Sequence, residues 1–335
     1  MHRAARRSRQ ALRSTLRVGG PVAYGVAFGI YSFREGVPFA RERMLIWLGL
    51  GLLAFSLANL GRSLVAALVD WVPFVGVLVL YDLVRGVADN VGQAAHVWPQ
   101  IDADRVLGLG VLPTVWLQRH LWHGRHDLRW WDYAAWGVYI THFFATLFVA
   151  AVLWIAARHL YRRFVAMVVT LAVLGFATYI AFPAVPPWMA GHHHQIPHVA
   201  SIIGVVFAHV KVADFNALFE QGRQWSNRVA AMPSLHAAEA LLIAMYLWGR
   251  SRWARPLLVL YPLAMTWALV YSAEHYVIDC VVGWIYAIVA FVAVSWAADR
   301  YEVRGFALVR RASAEPVPAL RPRLQPGGTR SPESQ

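Results

Sequence analysis

A single cysteine, Cys280, occurs in the 335 residues, so neither an intrachain disulfide nor a thiolate metal cluster can form. It lies in an apolar run and reads as a packing residue. Lysine is as scarce: Lys211 stands alone, and arginine supplies the rest of the basic count, a bias that suits a GC-rich bacterial genome. Charged residues make up only 15% of the chain against 59% hydrophobic ones. A soluble domain lies nearer half apolar and a quarter charged, so the composition excludes that class. No glycine-rich phosphate loop and no carboxylate cluster for magnesium is found, which disfavours ATP-dependent and two-metal chemistry. No small-x-small cleavage site follows the first apolar run, which argues against a signal peptide. There is no internal repeat.

What the chain does have is a succession of apolar runs. Residues 44–61, 64–84, 132–156, 164–182, 232–248, 257–271 and 277–297 read as membrane spans. Residues 18–33 are apolar but short and glycine-rich, and either span or lie in the interface. The expected fold is an all-α polytopic membrane bundle of seven or eight helices. Formal net charge is +13, but the arginines sit in short segments between apolar runs, as the positive-inside rule requires, and not as a nucleic-acid surface.

The expected organisation begins with a basic cytoplasmic arm at 1–17, carrying Arg3, Arg6, Arg7, Arg9, Arg13 and Arg17 without an acid. N-terminal membrane helices follow over 18–61, then the main membrane domain over 62–300, and a proline-rich disordered tail over 301–335. Within the main domain, 85–131 is a Trp- and His-rich interfacial segment, read either as padding or as a lid over a headgroup. Residues 183–231 form an extracytoplasmic loop.

Arg158, Arg162 and Arg163, then Arg250, Arg252 and Arg255, then Arg300 and Arg304 follow alternate helices. All three sets therefore fall on one face, the cytoplasmic one. The opposite face receives two polar motifs, Pro233-Ser234-Leu235-His236 and His275-Tyr276-Val277-Ile278-Asp279. Titratable groups beside lipid are costly and mark function. Four residues apart, His275 and Asp279 fall on one face of a helix, where the carboxylate can hold the imidazole in one tautomer and stabilise its cation. A second histidine, His236, can protonate a leaving group. Ser234 before an apolar helical run reads as an N-cap, and the free N–H groups there attract phosphate. Arg223 and Arg228 precede it, and a guanidinium clamps two phosphoryl oxygens at once. Metal-free phosphoryl transfer through a phosphohistidine fits this set, with no cofactor. The run His192-His193-His194 could suggest a metal site, but adjacent residues share no helical face and no carboxylate stands beside them.

These motifs resemble the second and third signatures of the type 2 phosphatidate phosphatase superfamily. The His-Tyr-x-x-Asp form, with Pro186-Pro187 ending the preceding helix, is similar to its inositol-phosphorylceramide synthase branch. The resemblance is most specific over 182–283. It implies a six-helix phosphatase-type core, with His275 as nucleophile, Asp279 as its orienter and His236 as general acid and base. It implies a membrane lipid phosphate as substrate, and water, a polyol or a lipid hydroxyl as acceptor. The chain departs from the common phosphatase pattern at two places. No Lys-x6-Arg-Pro signature is present, and Leu269 stands where an arginine precedes the nucleophile. Arg223, Arg228, Lys211 or Arg85 must then supply the phosphate clamp. The rival class is a transporter or flippase for a lipid-linked phosphate, for which paired broken helices in inverted repeats would be the cue. The sequence leaves the oligomeric state open.

Overall fold

The computed structural model describes residues 2–35, 41–57, 65, 68–77, 95–210 and 229–314. In chain order the helices are α1 (His2–Glu35), α2 (Arg41–Ser56), α3 (Leu68–Val77), α4 (Trp98–Leu107), α5 (Pro113–Leu121) and α6 (Trp130–Ala156). They continue with α7 (Arg158–Ala181), α8 (Pro187–His192), α9 (Ile202–His209), α10 (Leu235–Leu247), α11 (Arg255–Tyr271) and α12 (Val277–Ala314). The chain is an all-α polytopic helical bundle. Among the described residues, four stretches are long and apolar enough to cross a membrane: α6, α7, the stretch Arg252–Tyr271 that includes α11, and Val277–Arg300 of α12.

Local sequence accounts for the helix boundaries. Helices α4, α5, α8 and α11 each carry proline in the first turn, where its missing N–H would have had no helical partner. Helix α6 is started by Asp132, whose carboxylate accepts from the Arg129 N–H at 2.7 Å. Helix α7 stops at Ala181, just ahead of the proline cluster, and Pro187 opens α8. Helix α10 is shorter than the apolar run that suggested it. It has thirteen residues and starts at Leu235, because Met232 to Ser234 form its non-helical approach.

The basic arm and the first apolar run form one helix, α1, with Pro21 inside it. A Cβ on Gly20 would lie 2.4 Å from the Ala54 carbonyl, so glycine lets α1 approach α2 closely. Tyr24, Phe28 and Tyr31 gather around Trp47.

The core lies among α3, α6, α7, α10 and α12, with Trp71, Phe164, Met167, Leu171, Leu242 and Ala287 among its buried residues. Gly175 of α7 faces Leu235, where a Cβ would come within 2.8 Å of a side-chain methyl. Asp70 of α3 accepts from Arg158, Arg162 and the Trp154 indole, and its carbonyl accepts from the Tyr161 hydroxyl at 2.9 Å. Two of the arginines that suggested a cytoplasmic face are thus also partners of a carboxylate on a short apolar helix. Toward the end of α12, Arg300 lies over the Trp296 ring.

Candidate active site

The approach to α10 is held by its neighbours. Tyr179 of α7 donates its hydroxyl to the Pro233 carbonyl at 2.7 Å. Ser234 is the N-cap, its Oγ accepting from the Ala237 N–H at 3.4 Å, as the sequence suggests. His236 follows in the first turn and is half-buried.

The second motif does not lie within a helix. His275 and Tyr276 belong to the turn after α11, and α12 begins at Val277. The four-residue spacing therefore closes across a helix entry and not along a helix face. Asp279 reaches back, and its Oδ2 accepts from the Tyr276 N–H at 2.8 Å. The same oxygen lies 3.6 Å from His275 Nδ1. That nitrogen has a nearer partner, the Ala231 carbonyl at 2.8 Å. A carbonyl only accepts, so the proton belongs on Nδ1 and the lone pair on Nε2. Asp279 is fully buried and His275 nearly so.

The segment around Ala231 is built by two isolated bridges. Ala184 pairs with His96 on one side and Ala230 on the other. The Ala231 N–H donates to the Ala184 carbonyl at 3.1 Å, while its own carbonyl faces His275. Residues 95–97, 183–185 and 229–231, far apart in sequence, thus share in placing one imidazole.

His236 and His275 come together, with ring centroids 5.8 Å apart and planes inclined at 56°. His236 also packs against His142, at 3.9 Å with planes inclined at 32°, and stacks on Tyr139 at 4.8 Å, both from α6. Gly283 explains how α12 comes so near α10. A Cβ there would lie 2.3 Å from the Ser234 carbonyl, so only glycine permits this contact.

Helices α4 and α5 are tied to these helix ends by polar side chains. Asp104 of α4 is fully buried, and its two oxygens accept from the Val277 and Ile278 N–H groups at 3.0 and 2.9 Å. It therefore caps α12 from another element. Burial pushes the Asp104 carboxyl up to about 6, against its two backbone bonds, and the nearby Asp279 charge adds to the rise. Burial, then the charges of Asp279 and Asp104, raises the Tyr276 phenol also. Thr114 donates to the Val270 carbonyl at 2.7 Å. The Gln118 amide donates to the carbonyls of Ala200 and Tyr271 and accepts from the Ala200 N–H, which fills its main hydrogen-bonding positions. Helices α4 and α5 thus fasten the turn that bears His275.

Of the residues expected at the site, Ser234, His236, His275 and Asp279 are brought together. Arg223, Arg228, Lys211 and Arg85 lie outside the described residues. Sequence reasoning passed over Asp104, His142, Glu239, Gly283 and the Ala231 carbonyl. Glu239 and His142 carried a usable signal, since each is a titratable residue inside an apolar run.

A family model described as the PAP2 superfamily matches residues 101–293, which include both histidine motifs. The chain is 30% identical over 159 residues to a phosphoinositol dihydroceramide synthase of Bacteroides thetaiotaomicron. That alignment covers 44% of this chain and 50% of the relative, so the chain spans about half of that protein's length. No solved structure matches the chain.

Proposed function

For a chain that belongs to the PAP2 superfamily and brings two histidine rings within 5.8 Å of each other, we propose an integral-membrane lipid phosphatase or phosphotransferase working through a phosphohistidine. The observation that carries this reading is the 5.8 Å separation of the His236 and His275 rings, with His275 held through Nδ1. A phosphorus atom between two such rings is within reach of both, since reacting atoms approach to about 3–3.5 Å before attack.

In the first half-reaction the Nε2 lone pair of His275 forms an N–P bond, and the P–O bond to the lipid alcohol breaks. His236 gives its proton to the leaving oxygen. In the second, an acceptor hydroxyl or water attacks phosphorus and loses its proton to His236. The N–P bond then breaks and its electron pair returns to Nε2. Asp279, 3.6 Å from Nδ1, stabilises the positive charge that the imidazole gains as it attacks. The N-terminus of α10 at Ser234 offers partial positive charge to the phosphoryl oxygens, and Arg223, Arg228, Lys211 and Arg85 are the candidate clamps.

Transfer to a hydroxyl is favoured over hydrolysis, because the relative of known name is a synthase. By that likeness the acceptor is a polyol or a hydroxyl-bearing lipid. The site faces the extracytoplasmic side of a bacterial cell membrane, opposite the arginine-bearing turns.

The test is mass spectrometry of the products after the detergent-solubilised protein meets mixed lipid phosphates, with and without inositol. Consumption of a lipid phosphate that stops in His275→Ala supports the reading, and a new headgroup ester in the presence of acceptor supports transfer. If no lipid phosphate is consumed, the protein is not an enzyme of this type.

A further inference from the structure

Beside the two catalytic-motif histidines lies a second set of titratable groups that the mechanism above does not use. On α6, Tyr139, His142, Phe143 and Thr146 follow one another at helical spacing and form one stripe. That stripe faces α10. Tyr139, His142 and Phe143 surround the ring of His236, with His142 nearest at 3.9 Å between centroids. One turn further along α10, Glu239 meets the same stripe. Its Oε2 accepts from the Thr146 hydroxyl at 2.5 Å and stands 3.6 Å from His142 Nδ1. The His142 and Glu239 side chains are only 16% and 17% exposed.

A carboxylate in the apolar part of a helical bundle is costly, and such groups face polar partners when they persist. Glu239 has two, a hydroxyl and an imidazole, on the helix that packs against His236. The need for it follows from the site. A histidine that must carry a proton at a half-buried position loses part of its hydration, and desolvation alone favours the neutral ring. An opposite charge nearby offsets that loss.

We infer that Glu239, acting through His142, is a positioning residue for His236: the carboxylate–imidazole pair fixes the His236 ring by stacking and supplies the negative charge that lets it hold a proton. The other groups around this pair are Tyr139 and Thr146 of α6 and Tyr261 of α11, whose hydroxyl pairs with Thr141 at 3.0 Å. His275 also neighbours His236, and Asp279 stands beside His275. Of these, Asp279 is the only other carboxylate, and it is engaged by Tyr276 and His275.

The inference rests on His236 acting as general acid, and the experiment separates the two ideas. Turnover of phosphatidate and of 4-nitrophenyl phosphate is followed from pH 5 to 9 in detergent, together with thermal unfolding. In Glu239→Gln the alkaline limb of the phosphatidate profile is expected to move to lower pH by about one unit, which is a roughly tenfold loss on that limb and little loss at pH 5–6. The activated aryl ester needs little protonation to leave, so its profile moves less. Glu239→Asp restores the limb in part. His142→Phe keeps a ring against His236 but removes the pair, and shows the same shift, which decides the matter should Glu239→Gln fail to accumulate. A wild-type limb in folded Glu239→Gln or His142→Phe overturns the inference while leaving the mechanism in place. Equal losses of both substrates in His236→Ala would overturn the mechanism itself and the inference with it.

Discussion

The backbone N–H of Ser234 donates to the Asp279 carbonyl at 2.9 Å, so the two histidine motifs are joined through the main chain. The bond exists because Gly283, one turn along α12 from Asp279, leaves room for the Ser234 carbonyl. The separation of His236 and His275 is therefore set by backbone contact, which side-chain flexibility cannot readily relax.

That contact predicts the effect of one methyl group. Gly283→Ala places a Cβ 2.3 Å from the Ser234 carbonyl, and α10 and α12 must part. Turnover should fall at least tenfold, since small misplacements at a reacting centre are expensive. Gly137→Ala on α6 has nothing within 4 Å and serves as the control. Equal activity of the two variants would show that the close approach does not govern the site.

The tautomer of His275 predicts which nitrogen becomes phosphorylated. With Nδ1 donating to Ala231, the phosphoryl group should be found on Nε2. Brief exposure to an activated aryl phosphate, alkaline digestion and separation of the two phosphohistidine isomers checks this. His275→Ala should take up no label, and Asp279→Asn should react roughly a thousandfold more slowly, by analogy with the orienting carboxylate of a triad. Label on the Nδ1 isomer would mean that the ring turns before it reacts.

Asp104 predicts a pH dependence of stability. Its carboxyl is raised to about 6 in the fold, above its ordinary value near 4 when unfolded. The folded state therefore binds the extra proton, so the stabilisation is fully present below about pH 4 and is lost as pH rises through 6. The difference is on the order of 3 kcal/mol. Asp104→Asn cannot titrate. The thermal midpoint of the wild type relative to this variant should rise as pH is lowered from 7 to 5. A constant difference across that range would show that Asp104 does not take up a proton there.

Sidedness is tested with single cysteines in a Cys280→Ala background. Position 193 should react with an impermeant thiol reagent on intact cells, and positions 162 and 252 only after the membrane is opened. The reverse pattern would place the histidines on the cytoplasmic side.

The sequence by itself determined the all-α membrane class, the place of the long apolar helices and the polar residues Ser234, His236, His275 and Asp279 that the fold brings together. Hydrophobic periodicity, proline clusters and Ser234 as a cap act over one or two turns, and short-range signals of this kind are legible in a linear string. The spacing of His275 and Asp279 was legible too, but its meaning changed. Helical spacing suggested a shared face, whereas the structure uses the four residues to wind into α12. Only the tertiary structure decided the partners that lie far along the chain. The Ala231 carbonyl reaches His275 because residue 184 bridges to residues 96 and 230. Asp104 caps α12 from 173 residues away, and Glu239 meets Thr146 across 93. A buried carboxylate or carbonyl must find donors, but the requirement does not say which donors. That choice is made by helix packing, and it turned on positions such as Gly283, where the absence of a side chain lets two backbones meet.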